Sequence, residues 1–282
     1  MWILLVLLYG ILKGTREVIK KKALQKNTVM EVLIVYTSLA FLMVIPDCKN
    51  AMGVEPVDLL WIAVKSFVIF LAWIFSFKAI KKMPISIYGV LDLSRVLFAT
   101  LLGVTVLKEA FSLPQLTGLA LVCTGLLLLN RTRRLSSYKA EKIETVYVVL
   151  AIASCMLNAL SGLLDKILMK RVTSSQLQFW YMLFLVLFYL IYILVTRTKI
   201  RWLYSFKNYW IWILSLLFII ADRALFIANG MEASKVTVMT LIKQSGCLVT
   251  ILAGKFIFKE KNIGYKLFCA AVIITGIVVG VM

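Results

Sequence analysis

Histidine is absent from the 282 residues, and acidic residues are scarce: 13 Asp and Glu stand against 32 Lys and Arg, with 16% charged residues in all. Without histidine, and with no CxxC or HExxH spacing, a zinc or iron centre has no ligand set, and no cofactor is expected. No glycine-rich phosphate loop of the nucleotidase type is present, which excludes direct ATP coupling within this chain. Cysteines number five, an odd count. Cys123, Cys155, Cys247 and Cys269 sit inside apolar runs and only Cys48 lies in a loop, so they read as packing residues and not as a disulfide framework. With few acids and no histidine there is little to serve as a general base, which argues against a membrane-embedded transferase and for a protein that is not an enzyme.

What is abundant is hydrocarbon. Hydrophobic residues make up 62% of the chain and the mean hydropathy is +0.96. A soluble domain holds roughly 45–50% apolar and about 25% charged residues, so a soluble enzyme is excluded. Spans of about 20 residues leave room for roughly ten membrane helices and for no separate aqueous domain. Apolar runs bounded by charge, Pro or Gly fall at about 2–20, 29–46, 57–78, 84–107, 112–130, 144–168, 176–196, 208–229, 232–257 and 263–281. The first run has no basic residue before it and no small-residue cleavage site after it, and so reads as a span and not a leader. The expected fold class is an all-α integral membrane protein with ten transmembrane helices as two inverted five-helix repeats. A first repeat at 1–130 and a second at 144–282 flank the basic linker 131–143.

The repeat rests on a shift of 151 positions, which places Ser94 on Ser245, Leu101 on Leu252 and Gly103 on Gly254. The same shift places Lys108-Glu109 on Lys259-Glu260 and Thr124-Gly125 on Thr275-Gly276. Five spans per copy force the second copy to enter from the opposite face, the ground plan of many secondary transporters. The net charge of +19 lies mostly at the ends of apolar runs, where it meets anionic lipid, so nucleic acid is not an expected partner. The basic residues gather in the odd-numbered loops, beginning with Lys20, Lys21, Lys22 and Lys26. By the positive-inside rule those loops face the cytoplasm and both termini the outside. The localisation that follows is a multi-pass protein of a bacterial cytoplasmic membrane.

The stretch Lys108-Glu-Ala-Phe-Ser-Leu-Pro-Gln-Leu-Thr-Gly118, its following apolar span with Gly125, and its weaker copy from Lys259 to Val281 resemble the end-of-repeat pattern of the EamA-type transporters. These belong to the drug/metabolite transporter superfamily. The resemblance implies an alternating-access carrier whose cavity is lined by the first, third, fourth, sixth, eighth and ninth spans. It also implies cytoplasmic termini, whereas the charge bias implies the reverse.

An ionised group at mid-membrane costs about 2.5–3.5 kcal/mol on insertion scales, and this chain has many. Lys13, Arg16 and Glu17 lie in the first span, Lys65 in the third, Asp92 and Arg95 in the fourth, Asp165 and Lys166 in the sixth, Asp222 and Arg223 in the eighth, and Lys243 in the ninth. Basic residues outnumber acids in this set, and unpaired buried cations call for a counter-ion. Lysine and arginine suit phosphate or carboxylate. The run 237–244, with Lys243-Gln244, also resembles the ninth-span lysine region of the organic-phosphate and nucleotide-sugar branches of the superfamily.

The expected function is a secondary active transporter of a small anionic metabolite, phosphorylated or carboxylated. Expected substrate ligands are Lys13, Arg16, Arg95, Arg223, Lys243, Asn158, Gln244 and Trp73, with Glu17, Asp92 and Asp222 in coupling or gating. Alternatives are a flippase for a lipid-linked phosphate and, less favoured, an amino-acid exporter. The repeat alignment pairs Asp92 with Lys243. Trp180, Tyr181, Trp210 and Trp212 read as interfacial anchors.

Overall fold

The computed structural model describes residues 2–108, 112–135, 144–234, 236–243, 245–260 and 263–281, and these are helical throughout apart from their connections. The helices are α1 (Trp2–Lys26), α2 (Val29–Val44), α3 (Pro56–Lys82), α4 (Ile85–Leu91), α5 (Arg95–Thr105), α6 (Leu113–Leu135) and α7 (Thr145–Leu168). They continue as α8 (Ser174–Thr196), α9 (Trp202–Phe206), α10 (Tyr209–Gly230), α11 (Val236–Lys243), α12 (Gly246–Phe256) and α13 (Ile263–Val281). Local sequence sets several boundaries. Thr28 with Glu31, and Thr173 with Gln176, form reciprocal capping boxes that satisfy the first free N–H groups of α2 and α8. Pro56 opens α3, where its missing N–H costs nothing.

Among the described residues six helical segments are long and apolar enough to cross a membrane: 29–51, 56–82, 85–105, 145–168, 174–196 and 209–230. The chain is therefore a multi-pass membrane protein. The sequence leads to ten spans, and the difference has physical causes. Helix α1, at 25 residues, has the length but carries charge through its second half. Helices α11 and α12 divide one apolar run into two short pieces, and among the described residues the apolar segments within α6 and α13, Leu116–Gly125 and Gly264–Gly276, fall short of a full span.

Equivalent features recur at the 151-residue offset. The run 85–105 narrows to a single 3-10 turn at Asp92–Ser94, and the second run divides between Lys243 and Gly246. Lys108 and Lys259 both adopt φ 52°, a left-handed conformation at the end of a helix. Helices α6 and α13 lie antiparallel, with contacting positions exchanged. A Cβ on Gly125 would meet Ile273 and the Cys269 carbonyl, while one on Gly276 would meet Val122 and the Gly118 carbonyl.

The connections around Asn27, Lys81 and Arg201 meet at one end of the bundle. There Lys81 donates to the Asn27 carbonyl (2.9 Å), Asn208 to Asn27 (2.7 Å), and exposed Arg201 to buried Glu31 through Nε (2.8 Å) and Nη2 (3.0 Å). Donation to the Glu31 carboxylate holds the Arg201 guanidinium more firmly protonated than usual. At the other end Arg223 bonds to Asp47 and Arg171 to Asp58.

Candidate functional site

One face of α1 carries Tyr9, Lys13, Arg16, Glu17 and Lys20, a three-to-four-residue spacing that stacks them along a single stripe. On the side packed against the second half, Gly10 and Gly14 leave room for the α11–α12 junction. A Cβ on Gly14 would collide with the Gly246 carbonyl, and one on Gly10 with Ser245 and the carbonyls of Ile242 and Lys243. This close approach sets Lys243 beside α1, with its ammonium 5.7 Å from the Tyr9 ring centre.

The stripe faces a hollow of about 80 Å³ lined from α1, α2, α3, α4, α5, α7, α8, α10 and α11. At about 10–15 Å³ per water it has room for several waters, and a metabolite enters only if the walls separate. Six cations reach its walls: Lys13, Arg16, Lys20, Lys65, Arg95 and Lys243. Their carboxylate partners are four. Asp92 accepts from Lys13 and, at 2.7 Å, from Arg95. Asp222 pairs with Arg16 (3.3 Å), Asp165 with Lys65 (3.0 Å) and Glu17 with Lys20 (2.8 Å). All of these side chains are buried or nearly so.

Aromatic rings complete the chamber. Lys65 sits 3.4 Å from the Tyr181 ring centre, Arg16 lies 5.0 Å from Phe218, and Lys20 lies 4.5 Å from Phe77. Such cation–π contacts, out of bulk water, offset part of the desolvation of a charge. Tyr36, Trp73 and Phe218 form a mutually packed wall, with centroids 5.1–5.3 Å apart.

Of the residues singled out from sequence, Lys13, Arg16, Glu17, Trp73, Arg95, Asn158, Asp222 and Lys243 line this hollow, and Asp92 stands directly behind Lys13 and Arg95. The Asn158 amide donates to the Ser154 carbonyl at 2.7 Å. Arg223 is not brought there. It turns to the far side of α10 and donates to Gln178, Ser175 (2.7 Å) and Asp47 (2.7 Å), because the neighbouring position, Asp222, already takes the chamber-facing side. Gln244 lies outside the described residues. The pairing of Asp92 with Lys243 does not form, since Lys13 and Arg95 occupy Asp92. Lys166 also leaves the central set, donating to the carbonyls of Asn229 (3.0 Å) and Met231 (3.1 Å) at the C-terminal end of α10. There it complements the helix dipole.

Sequence reasoning overlooked Tyr9 and Tyr88, placed Lys20 in a loop although it lies in α1 on the chamber wall, and misassigned Tyr181, which is buried against Lys65 and not an interfacial anchor. Lys20 was discoverable, because it stands three residues beyond Glu17 on the stripe that Lys13 and Arg16 define.

These observations define a polytopic helical membrane protein built around a small ionic chamber. Residues 1–131 match the EamA-like transporter family, in the drug/metabolite transporter superfamily. The resemblance noted in the sequence is thus found again over the first half. No curated protein sequence matches the chain significantly. A solved structure titled "Crystal structure of protein" shares the fold, with a TM-score of 0.65 at 14% identity over 99% of this chain and 95% of that one.

Proposed function

We propose that this chain is a secondary active transporter of a small anionic solute, phosphorylated or carboxylated, in a bacterial cytoplasmic membrane. It would work by alternating access between two inverted five-span halves, 1–130 and 144–282, joined by the linker 131–143. The family match over residues 1–131 supports transport. The helix interruptions, the paired left-handed lysines and the exchanged glycine contacts of α6 and α13 support two antiparallel copies.

The observation that carries the anionic substrate is the imbalance at the chamber: six buried cations meet four carboxylates. Cations in excess at low dielectric are stabilised by a counter-ion, and an entering anion supplies it. In this reading Lys13, Arg16, Arg95 and Lys243 hold the solute, with Trp73 and Asn158 beside it. Glu17, Asp92 and Asp222 release basic partners as the halves rock.

The test is counterflow in proteoliposomes. Labelled phosphate esters or carboxylates should accumulate against an unlabelled internal pool, and Lys243→Ala and Arg95→Ala should abolish this while remaining folded in detergent. Normal transport by both variants rules out the assignment. Scrambling of a lipid-linked phosphate without solute counterflow replaces it by the flippase reading.

A further inference from the structure

The cations of the chamber are not equivalent. Arg16 with Asp222, Lys65 with Asp165, and Lys20 with Glu17 are one-to-one pairs, each neutral in sum. Where α1 and α5 meet α11, Asp92 pairs with both Lys13 and Arg95, and Lys243 also lines the chamber. Lys243 is 8% exposed and, among the described residues, makes no ion pair. The first carboxylate in its electrostatic reach, Asp165, is already engaged by Lys65 at 3.0 Å. Among the described residues Arg95 bonds Asp92 through Nη2, and its buried Nε–H meets no acceptor. A buried guanidinium N–H left unmade is costly, and Lys243 on the same chamber wall has no ion-pair partner among the described residues. The surplus of two positive charges is therefore confined to this corner.

We infer that the Lys13–Arg95–Lys243 corner is a single oxyanion subsite selective for a doubly charged head, a phosphomonoester, over a singly charged carboxylate or sulfate ester. This deepens the transporter reading above and rests on it. A phosphomonoester carries a charge of about −1.5 to −2 near pH 7 and three strong acceptor oxygens. One oxygen satisfies Arg95 Nε, another the Lys243 ammonium, and the second charge matches the second surplus cation. A monoanion leaves one of the two cations uncompensated. The wall of Tyr36, Trp73 and Phe218 then faces the rest of the solute, which suits an apolar or planar group.

The experiment measures binding of phenyl phosphate, phenyl sulfate, benzoate and inorganic phosphate to the full chain in detergent at about pH 8. Phenyl sulfate keeps the tetrahedral shape and the ring but has one charge. Phenyl phosphate should bind about tenfold or more tighter than phenyl sulfate and benzoate. Lys243→Gln and Arg95→Gln should each remove that preference, Arg95→Lys should keep part of it, and Arg223→Gln, outside the chamber, should leave it intact. Equal binding of the phosphate and sulfate esters overturns the dianion assignment. A preference that survives Lys243→Gln and Arg95→Gln but vanishes in Arg16→Gln moves the subsite to another corner and leaves anion transport standing. If no probe binds yet counterflow of a different anion succeeds, only this inference fails; if no anion binds or exchanges, both readings fail.

Discussion

The chamber and the seam between α6 and α13 join helices by opposite means. At the seam, Gly125 and Gly276 let two helices meet at backbone distance, and no ion pair among the described residues links them. Around the chamber, buried carboxylates and cations meet across α1, α3, the turn Asp92–Ser94, α5, α7 and α10, and a hollow remains. Small-residue contacts are the inexpensive route to helix association in lipid, whereas buried ions carry a desolvation penalty of several kcal/mol each. A chain that packs α6 on α13 with glycines had that route available. In the transporter reading proposed above, its use of ions at the chamber, with two cations more than the paired acids, serves the solute as well as the bundle.

That contrast is open to a graded set of measurements of stability in detergent. Asp165→Ala strands Lys65 in a buried, ring-lined position and should cost about 3–5 kcal/mol, the largest loss. A loss no greater than that of a surface pair would show that the chamber is not desolvated. Gly276→Leu drives a side chain into the α6 backbone and should cost about 1–3 kcal/mol without altering anion binding. A change in anion binding would mean that the seam is coupled to the chamber. Arg201→Ala, removing an exposed partner of Glu31, should cost about 0.2–1 kcal/mol and less in high salt. Smallest is Lys243→Gln, which removes a charge that makes no ion pair among the described residues. Apparent melting in the absence of anions should stay level or rise while counterflow disappears, and a large drop would instead make Lys243 a structural cation.

How much of this was readable beforehand differs between levels. The helices follow the apolar runs closely, from Pro56 at the start of α3 to Ile263–Val281 at the end, because each helix satisfies its own backbone within hydrocarbon. Charges at helical spacing were also legible: Asp92 with Arg95 is a pair at i and i+3. Partners on different helices were not. Asp222 and Arg223 are neighbours in sequence that serve opposite sides of α10, and only packing shows that Arg16 takes the first while Asp47 and Gln178 take the second. Tyr181 lies near the start of its helix, where an anchor is expected, and only the approach of α3 makes it a lid on Lys65.

The sequence by itself determined a membrane solvent, a helical backbone and an excess of positive charge, because composition and period act locally and do not depend on which helices are neighbours. The tertiary structure alone decided which cations that excess falls on. Neutralisation of a buried charge depends on distances of a few ångströms across helices far apart in the chain, and the glycine approach of α1 to the α11–α12 junction places Lys243 on the chamber wall without an ion pair among the described residues.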